Sequence, residues 1–518
     1  MADGIDSPPG PAGANDPPLS RAVILAVLAA SAAVAGFAIS TQSYWIDEGL
    51  SLIVAMAPNP AEAWKYAEAV SGSTLQMPLY QVYLYVWHKV IGGGEWAMRA
   101  SNIPLFLAGQ LAFLLLLRHR PRLALTASLL ALVSPLLWMY LDETRPYIMQ
   151  YAAACWMVAG LVRWSSNPAL ALDGKLIAIL CGATFVLFSS SLLGIVWAVA
   201  MAAAFFWLAG TAQSLRPARA ATFWGPMAAA IVLMAACGFY YYLTWGDAAR
   251  GYHRSGIQIL SLPYLAYDFL GFPGFGPGKL QMRLAPVRSV LRSLPALLPL
   301  AAVLALLAIF ALRQLRRAGL NRRAATTWII ALGLPIIIIF GALFIHDSRP
   351  LPRHFIPALP AVLLGAAAVM QLALAQRSAF WRAVAIMLPL LWLASALNLR
   401  WQPAHAKDDY RTAAAIAAAA LRNNKEVWWA ADAAAACVYL TPVAMEETPG
   451  RAWAMQGPSW DDIRYKFPPR VIIISKPDIY DPQGAIARYA AENQFLPARQ
   501  LQAFTIFTRH GEPLPTVK

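Results

Sequence analysis

The chain has 518 residues, enough for several soluble domains, yet 59% of them are hydrophobic and only 13% are charged. With a mean hydropathy of +0.52, most of it belongs in lipid, which excludes an ordinary soluble enzyme. The formal net charge is +15, but the basic residues fall in short links between apolar runs and no basic–aromatic module accompanies them, so the charge encodes topology, not nucleic-acid binding.

Residues 1–21 are rich in Pro, Gly, Ala and Asp and read as a disordered cytoplasmic tail. The next run, 22–42, is long enough to span, and many more spans follow it. It therefore reads as an anchor and not as a cleaved signal peptide. A spanning helix needs ~20 apolar residues. The runs that qualify are 22–42, 100–117, 123–141, 147–162, 176–190, 192–212, 221–243, 293–312, 325–345, 355–376 and 383–399. Segment 78–91, PLYQVYLYVWHKVI, is short and rich in Tyr and Trp, and fits either a short span or a helix lying in the interface. His88 and Lys89 within it read as interfacial anchors.

Lys/Arg bias decides between the two. If 78–91 lies on the outer surface, the basic links 118–122, 163–175, 212–220, 313–323 and 377–382 all fall inside, with Arg21. If it spans, RHRPR and RQLRRAGLNRR move outside, against the positive-inside rule. The first arrangement predicts about 11 spans, an inside N-terminus and an outside C-terminus.

Four outer segments then collect the polar groups. Residues 43–99 open with SYWIDEGLS, where Asp47 and Glu48 follow the aromatic belt of Tyr44 and Trp45. That segment also holds Glu62, Lys65, Glu68, Glu95 and Arg99. Residues 141–147, LDETRPY, hold Asp142, Glu143, Arg145 and Tyr147. Residues 244–292 hold Asp268 and Lys279, among others, and 346–354, HDSRPLPRH, add Arg349, Arg353 and His354. No span carries an ionisable group in its central part, whereas transporters usually place such groups near the midplane. The chemistry is expected at the outer surface.

Beyond about residue 403 the runs shorten and charge rises. Helices are expected over 409–422 and 483–493, and strands over 426–431, 470–475 and 503–508, making a small extracytoplasmic α/β domain over 403–518. Asp408 and Asp409 read as helix-start acids rather than a metal site. The four cysteines show no ligand or disulfide spacing and read as inert thiols.

Such a face suits sugar transfer from a lipid phosphate. The acceptor hydroxyl must lose a proton as it attacks the anomeric carbon, and a carboxylate serves as that base. The departing phosphate needs fixed positive charge rather than an acid or a metal, and arginine meets phosphate oxygens bidentately. Asp47 and Glu48 are the catalytic candidates. Arg145, Lys279, Arg349 and Arg353 are the cations, and Asp142 or Glu143 would orient the sugar or acceptor. Glu143 and Arg145 have a plainer alternative, as a pair at a helix start. The Gly-rich run 269–279, FLGFPGFGPGK, lacks P-loop spacing and reads as a mobile lid.

The motifs WIDEGLS, PLYQVYLYVWHKVIGGGEWAMR, YLDETRPY and PRHFIPALPAVLL resemble those of the GT-C membrane glycosyltransferases, more narrowly the protein O-mannosyltransferase-like family. The resemblance covers most of 40–375 and is strongest in the first two outer loops. It implies a GT-C transmembrane domain over 22–402, a polyprenyl-phosphate sugar donor and inversion at the anomeric carbon. It implies Asp47 as the catalytic carboxylate beside Glu48, and a role for Glu143, Arg145 and Tyr147 and for Pro352, Arg353 and His354. Segment 78–91 would be the family's juxtamembrane helix. One departure concerns the residue before the Pro of that helix, which is Lys in the lipid A aminoarabinose transferase and Met77 here. The phosphate contact is therefore expected elsewhere.

The resulting reading is a bacterial inner-membrane glycosyltransferase. It would need no cofactor, and its acceptor would be an extracytoplasmic lipid, glycan or protein. The alternative is a non-catalytic lipid or polysaccharide transporter, or a protein that only binds polyprenyl phosphate. The uncharged span cores disfavour transport.

Overall fold

A computed structural model of the protein describes residues 17–166, 174–211, 220–249, 261–319, 321–441, 443–444, 451–454, 468–510 and 512–514. The expected disordered tail lies mostly outside these residues. All eleven expected apolar segments form helices. Among the described residues, seven helices are long and apolar enough to cross a membrane: Arg21–Ala38, Glu95–Leu116, Trp224–Asp247, Pro286–Ala318, Arg322–Ile345, Pro352–Leu374 and Ala379–Trp401; a bent pair makes up to eight. The other three of the eleven expected spans are helices as well, outside that set by length and composition. Tyr147–Ser166 is buried among its neighbours along most of its length. Gly174–Ser190 and Gly194–Thr211 have 17 and 18 residues.

Pro78–Ile91 is a helix of 14 residues, about 21 Å long at 1.5 Å per residue, too short for a ~30 Å hydrocarbon core. Val82, Val86 and Val90 form an exposed stripe at helical spacing. The opposite face buries Tyr80 and Leu84 against Tyr44, Leu52 and Met77. That is the build of a helix lying in the interface.

The bent pair is Pro121–Val133 and Pro135–Leu141, which meet at 60°. Its cause is local. Ser134 precedes a proline and is extended (φ −65, ψ 116), and its Oγ caps the second helix by accepting from the Leu137 N–H at 3.4 Å. The bend carries Asp142–Arg145 into the site.

The Gly-rich run is not a free lid. Ser395 Oγ donates to the Gly271 carbonyl at 2.7 Å and accepts from the Gly274 N–H at 3.1 Å, while Trp392 Nε1 donates to the Leu270 carbonyl at 2.9 Å. Its glycines exist for contact. A Cβ on Gly274 would stand 1.8 Å from the Ser395 carbonyl oxygen, and one on Gly278 1.7 Å from that of Ala404. The run is a bracket fixed to the last span, and it holds Lys279 in place.

After that span the chain builds a mixed sheet of order β2-β3-β1-β4-β6-β5: β1 Val427–Ala430, β2 Val443–Ala444, β3 Ala452–Ala454, β4 Val471–Ser475, β5 Phe495–Leu501 and β6 Phe504–Arg509. The first four strands in that order are parallel, and β6 and β5 are antiparallel additions. The central strands are apolar on both faces, as a covered sheet requires. Val427 and Trp429 pack with helix Tyr410–Arg422, and Trp428 and Ala430 with helix Ala485–Glu492. Asp409 caps the first of these helices by accepting from the Thr412 N–H at 3.1 Å, while Asp408 pairs with Lys476.

This sheet domain sits on the first outer loop. Helix Ala433–Val438 crosses helix Ile46–Ala55 so closely that a Cβ on Gly49 would lie 2.7 Å from Ala435 Cα. Tyr439 Oη accepts from the Tyr44 N–H at 2.7 Å, and the Arg411 N–H donates to Ser43 Oγ at 2.9 Å.

Candidate active site

Asp47 and Glu48 occupy the first turn of helix Ile46–Ala55, where backbone N–H groups and the helix dipole favour negative charge. Adjacent positions point about 100° apart on a helix, so the two acids meet different surroundings. Asp47 forms an ion pair through Oδ2 with Arg353 Nη1, and its side chain stays 20% exposed. Its Oδ1 accepts no hydrogen bond among the described residues. Burial disfavours the carboxylate, but Arg353 first, then Arg145 and Lys279, outweigh it and hold the pKa below the ordinary 3.8. The group is ionised at neutral pH.

Glu48 is fully enclosed. Oε1 accepts from Arg99 Nε at 2.8 Å and from the Thr144 N–H and Oγ1 at 3.1 Å each. Oε2 accepts from Arg99 Nη2 at 2.8 Å, Lys407 Nζ at 3.0 Å and the Trp45 N–H at 3.3 Å. Burial opposes the charge, yet Arg99 and Lys407 bring the pKa down to about 2. Both carboxylate oxygens of Glu48 are thus engaged by the protein, unlike those of Asp47. Arg99 also donates to the carbonyls of Ser40, Gln42 and Ser43 at 3.0, 2.7 and 3.0 Å, which fixes the strand leading to Trp45.

The loop after Leu141 divides two cavities. Asp142 and Glu143 line the first, and Arg145, Pro146 and Tyr147 line the second. Asn102 Nδ2 holds the turn by donating to the carbonyls of Leu141 and Glu143 at 3.1 and 2.7 Å. Glu143 and Arg145 do not pair with each other. Arg145 Nη1 donates to the Asp47 carbonyl at 3.2 Å and to Ser51 Oγ at 2.9 Å, and Nη2 donates to Ser73 Oγ at 3.2 Å. Glu143 pairs with Lys279 at 3.4 Å. Burial raises its pKa and Lys279 opposes the rise. Asp142 is tied down: it accepts from the Ser40 N–H at 2.5 Å and Oγ at 2.9 Å, and Lys407 approaches it at 3.4 Å.

The second cavity is cationic. Arg145, Arg349 and Arg353 line it with Tyr147 and His354. His354 steadies its neighbour Arg353: its carbonyl accepts from Trp197 Nε1 at 3.0 Å, and its Nδ1 accepts from the Leu351 N–H at 3.3 Å. Arg349 lies over the Tyr264 ring at 5.1 Å. Met77 lines this same cavity.

The first cavity is mixed. Trp45, Trp138, Tyr264 and Tyr267 line it together with Asp142, Glu143, Asp268, Lys279 and Lys407. Lys279 Nζ sits 4.7 Å over the Trp45 ring. Asp47 is two residues from Trp45, which lines the first cavity, and pairs with Arg353, which lines the second.

Every site candidate from the sequence gathers at this one end of the bundle. Lys407 escaped notice, since its partners lie more than 250 residues away along the chain. Asp268 was visible only as one of many loop acids.

The fold, a helical bundle with an added sheet, is shared with solved structures. No family model matches the chain, and no curated protein matches its sequence. Among solved structures, ArnT from Cupriavidus metallidurans in the apo state matches with a TM-score of 0.53 at 13% identity, covering 94% of this chain and 97% of that one. The same protein bound to undecaprenyl phosphate gives 0.51 at 14% identity, covering 94% and 98%. A mycobacterial arabinofuranosyltransferase, AftD, gives 0.41 at 13% identity, covering 96% of this chain and 40% of that one. At these identities the ArnT likeness is one of fold.

Proposed function

We propose that the chain is an inner-membrane glycosyltransferase. It moves a sugar from a polyprenyl-phosphate donor to a lipid, glycan or protein acceptor on the outer face, with inversion. The observation that carries this is the pairing of a half-open carboxylate, Asp47, with the wall of a three-arginine cavity. The ArnT structure with undecaprenyl phosphate supports the donor class.

In this mechanism the donor phosphate lies in the second cavity against Arg145, Arg349 and Arg353. The acceptor hydroxyl approaches from the opposite face of the sugar and gives its proton to Asp47. Its oxygen forms the new bond to the anomeric carbon as the carbon–oxygen bond to phosphate breaks. The electron pair leaves with polyprenyl phosphate, whose developing charge the arginines meet. One displacement inverts the centre. Glu48 and Tyr147 position the parts, His354 steadies Arg353, and Lys279 holds Glu143 and steadies Asp47. The domain spans 22–402 and 403–518 follow from this assignment, with the N-terminus cytoplasmic and the sheet domain periplasmic.

Asp47→Asn tests it. The variant keeps the shape but cannot accept the proton, and general-base catalysis contributes ~10²–10⁴-fold. Turnover of a polyprenyl-phosphate sugar by purified protein should fall by that order with folded yield unchanged. Near-normal turnover would overturn the mechanism.

A further inference from the structure

We infer that the first cavity is the acceptor site and that its ligand is an uncharged saccharide ring, recognised in part by Asp268. The inference rests on the transferase reading and deepens it. Four aromatic rings and four carboxylates share the lining, and one of the four, Asp408, is paired with Lys476. Tyr264 and Tyr267 are near-parallel, at 14° and 6.3 Å between centroids. Aromatic planes take the apolar C–H faces of a sugar ring, and carboxylates accept from its hydroxyls.

The cations of this cavity are engaged by the protein. Lys279 is held by Glu143 and the Trp45 face. Lys407 is held by Glu48 and the Asp142 carbonyl. Arg400 Nε donates to the Phe37 carbonyl at 3.4 Å. A phosphate headgroup entering here would meet Asp142, Glu143 and Asp268, whereas the neighbouring cavity presents three arginines.

Asp268 is the unexplained group. It is 4% exposed, lines the cavity, and its carboxylate accepts no hydrogen bond among the described residues. A buried acceptor left unpaired costs free energy that a ligand hydroxyl would recover. Its near neighbours in charge are Lys279, Arg349 and Glu143.

The test uses full-length protein in native-lipid nanodiscs with undecaprenyl phosphate carrying a labelled hexose or pentose. Four acceptor probes are compared: a free oligosaccharide, a monoglycosyl diacylglycerol, phosphatidylglycerol and a Ser/Thr peptide. Label should enter the oligosaccharide or the glycolipid, and the preference between these two tells a glycan end from a lipid-borne sugar. Asp268→Asn should raise the acceptor KM about 10- to 100-fold, the loss of one charge-assisted hydrogen bond. The turnover at saturating acceptor should change less than KM. Label entering only phosphatidylglycerol or peptide, or an unchanged acceptor KM in Asp268→Asn, would overturn the inference. Absence of both transfer and sugar release, or their indifference to Asp47→Asn, would instead overturn the transferase reading beneath it.

Discussion

At the scale of residues, two neighbouring carboxylates are made different by what faces them. Asp47 keeps one oxygen open and one arginine beside it. Glu48 spends both oxygens on Arg99, Lys407, Thr144 and the Trp45 N–H. Glu48→Gln would leave Arg99 enclosed without its counter-charge, which typically costs ~3–5 kcal/mol. Folded yield and melting temperature should fall, whereas Asp47→Asn should lower turnover alone. The sign with pH follows from linkage. The folded pKa of about 2 lies below the ordinary 4.5, so this stabilisation is present above 4.5 and is lost as pH falls towards 2. Melting curves of wild type and Glu48→Gln should therefore differ most near neutrality and converge as pH drops below 4.5. A constant gap would remove Glu48's charge from the account. The DE pair was legible in SYWIDEGLS, but the division of labour was not. It depends on Arg99, Thr144 and Lys407, which lie 51, 96 and 359 residues from Glu48 in sequence.

At the scale of elements, hydrophobic runs were legible wherever lipid or a covered sheet face demanded them. The spans, β1, β4 and β6 all appeared at the expected places. Strand β5 did not, because FLPARQL is an edge strand with five consecutive exposed residues and a proline. The Gly-rich run was misjudged for a related reason. Glycine marks both mobility and close contact, and only the opposing surface distinguishes them. Here the opposing surface is the backbone of the last span. Gly274→Ala should force the run off Ser395 and carry Lys279 away from Glu143 and Trp45. Turnover should fall at least tenfold and melting temperature should drop, on the order of the ~1–3 kcal/mol of an overpacked site. Gly341→Ala meets nothing within 4 Å and serves as the control, neutral or slightly stabilising. Equal behaviour of the two variants would return the run to the status of a free loop.

At the scale of the whole molecule, the site lies at the opposite end from the basic turn at 316–323 and from Arg21. Lys279 enters the site just before Pro286–Ala318 begins, and Arg349 enters it just after Arg322–Ile345 ends. The turn between these helices, with Arg316, Arg317, Arg322 and Arg323, is therefore a helix length away, about 50 Å for 33 residues at 1.5 Å each. Likewise Arg21–Ala38 begins at its basic end and finishes beside Ser40, which donates to Asp142. On the proposed orientation, with the basic end in the cytoplasm, the shared site requires residues 40–48, 142–147, 279, 349–354 and 407 to lie outside together. A reporter active only outside the cytoplasm should be active when fused after Ala404 and silent when fused between Arg317 and Arg322. Because Lys407 touches both Glu48 and the Asp142 carbonyl, a fusion within the 142–147 loop must report the same side as the one after Ala404. Opposite sides for those two fusions would break the site apart, and the reversed pattern for all three would move the chemistry to the cytoplasmic face.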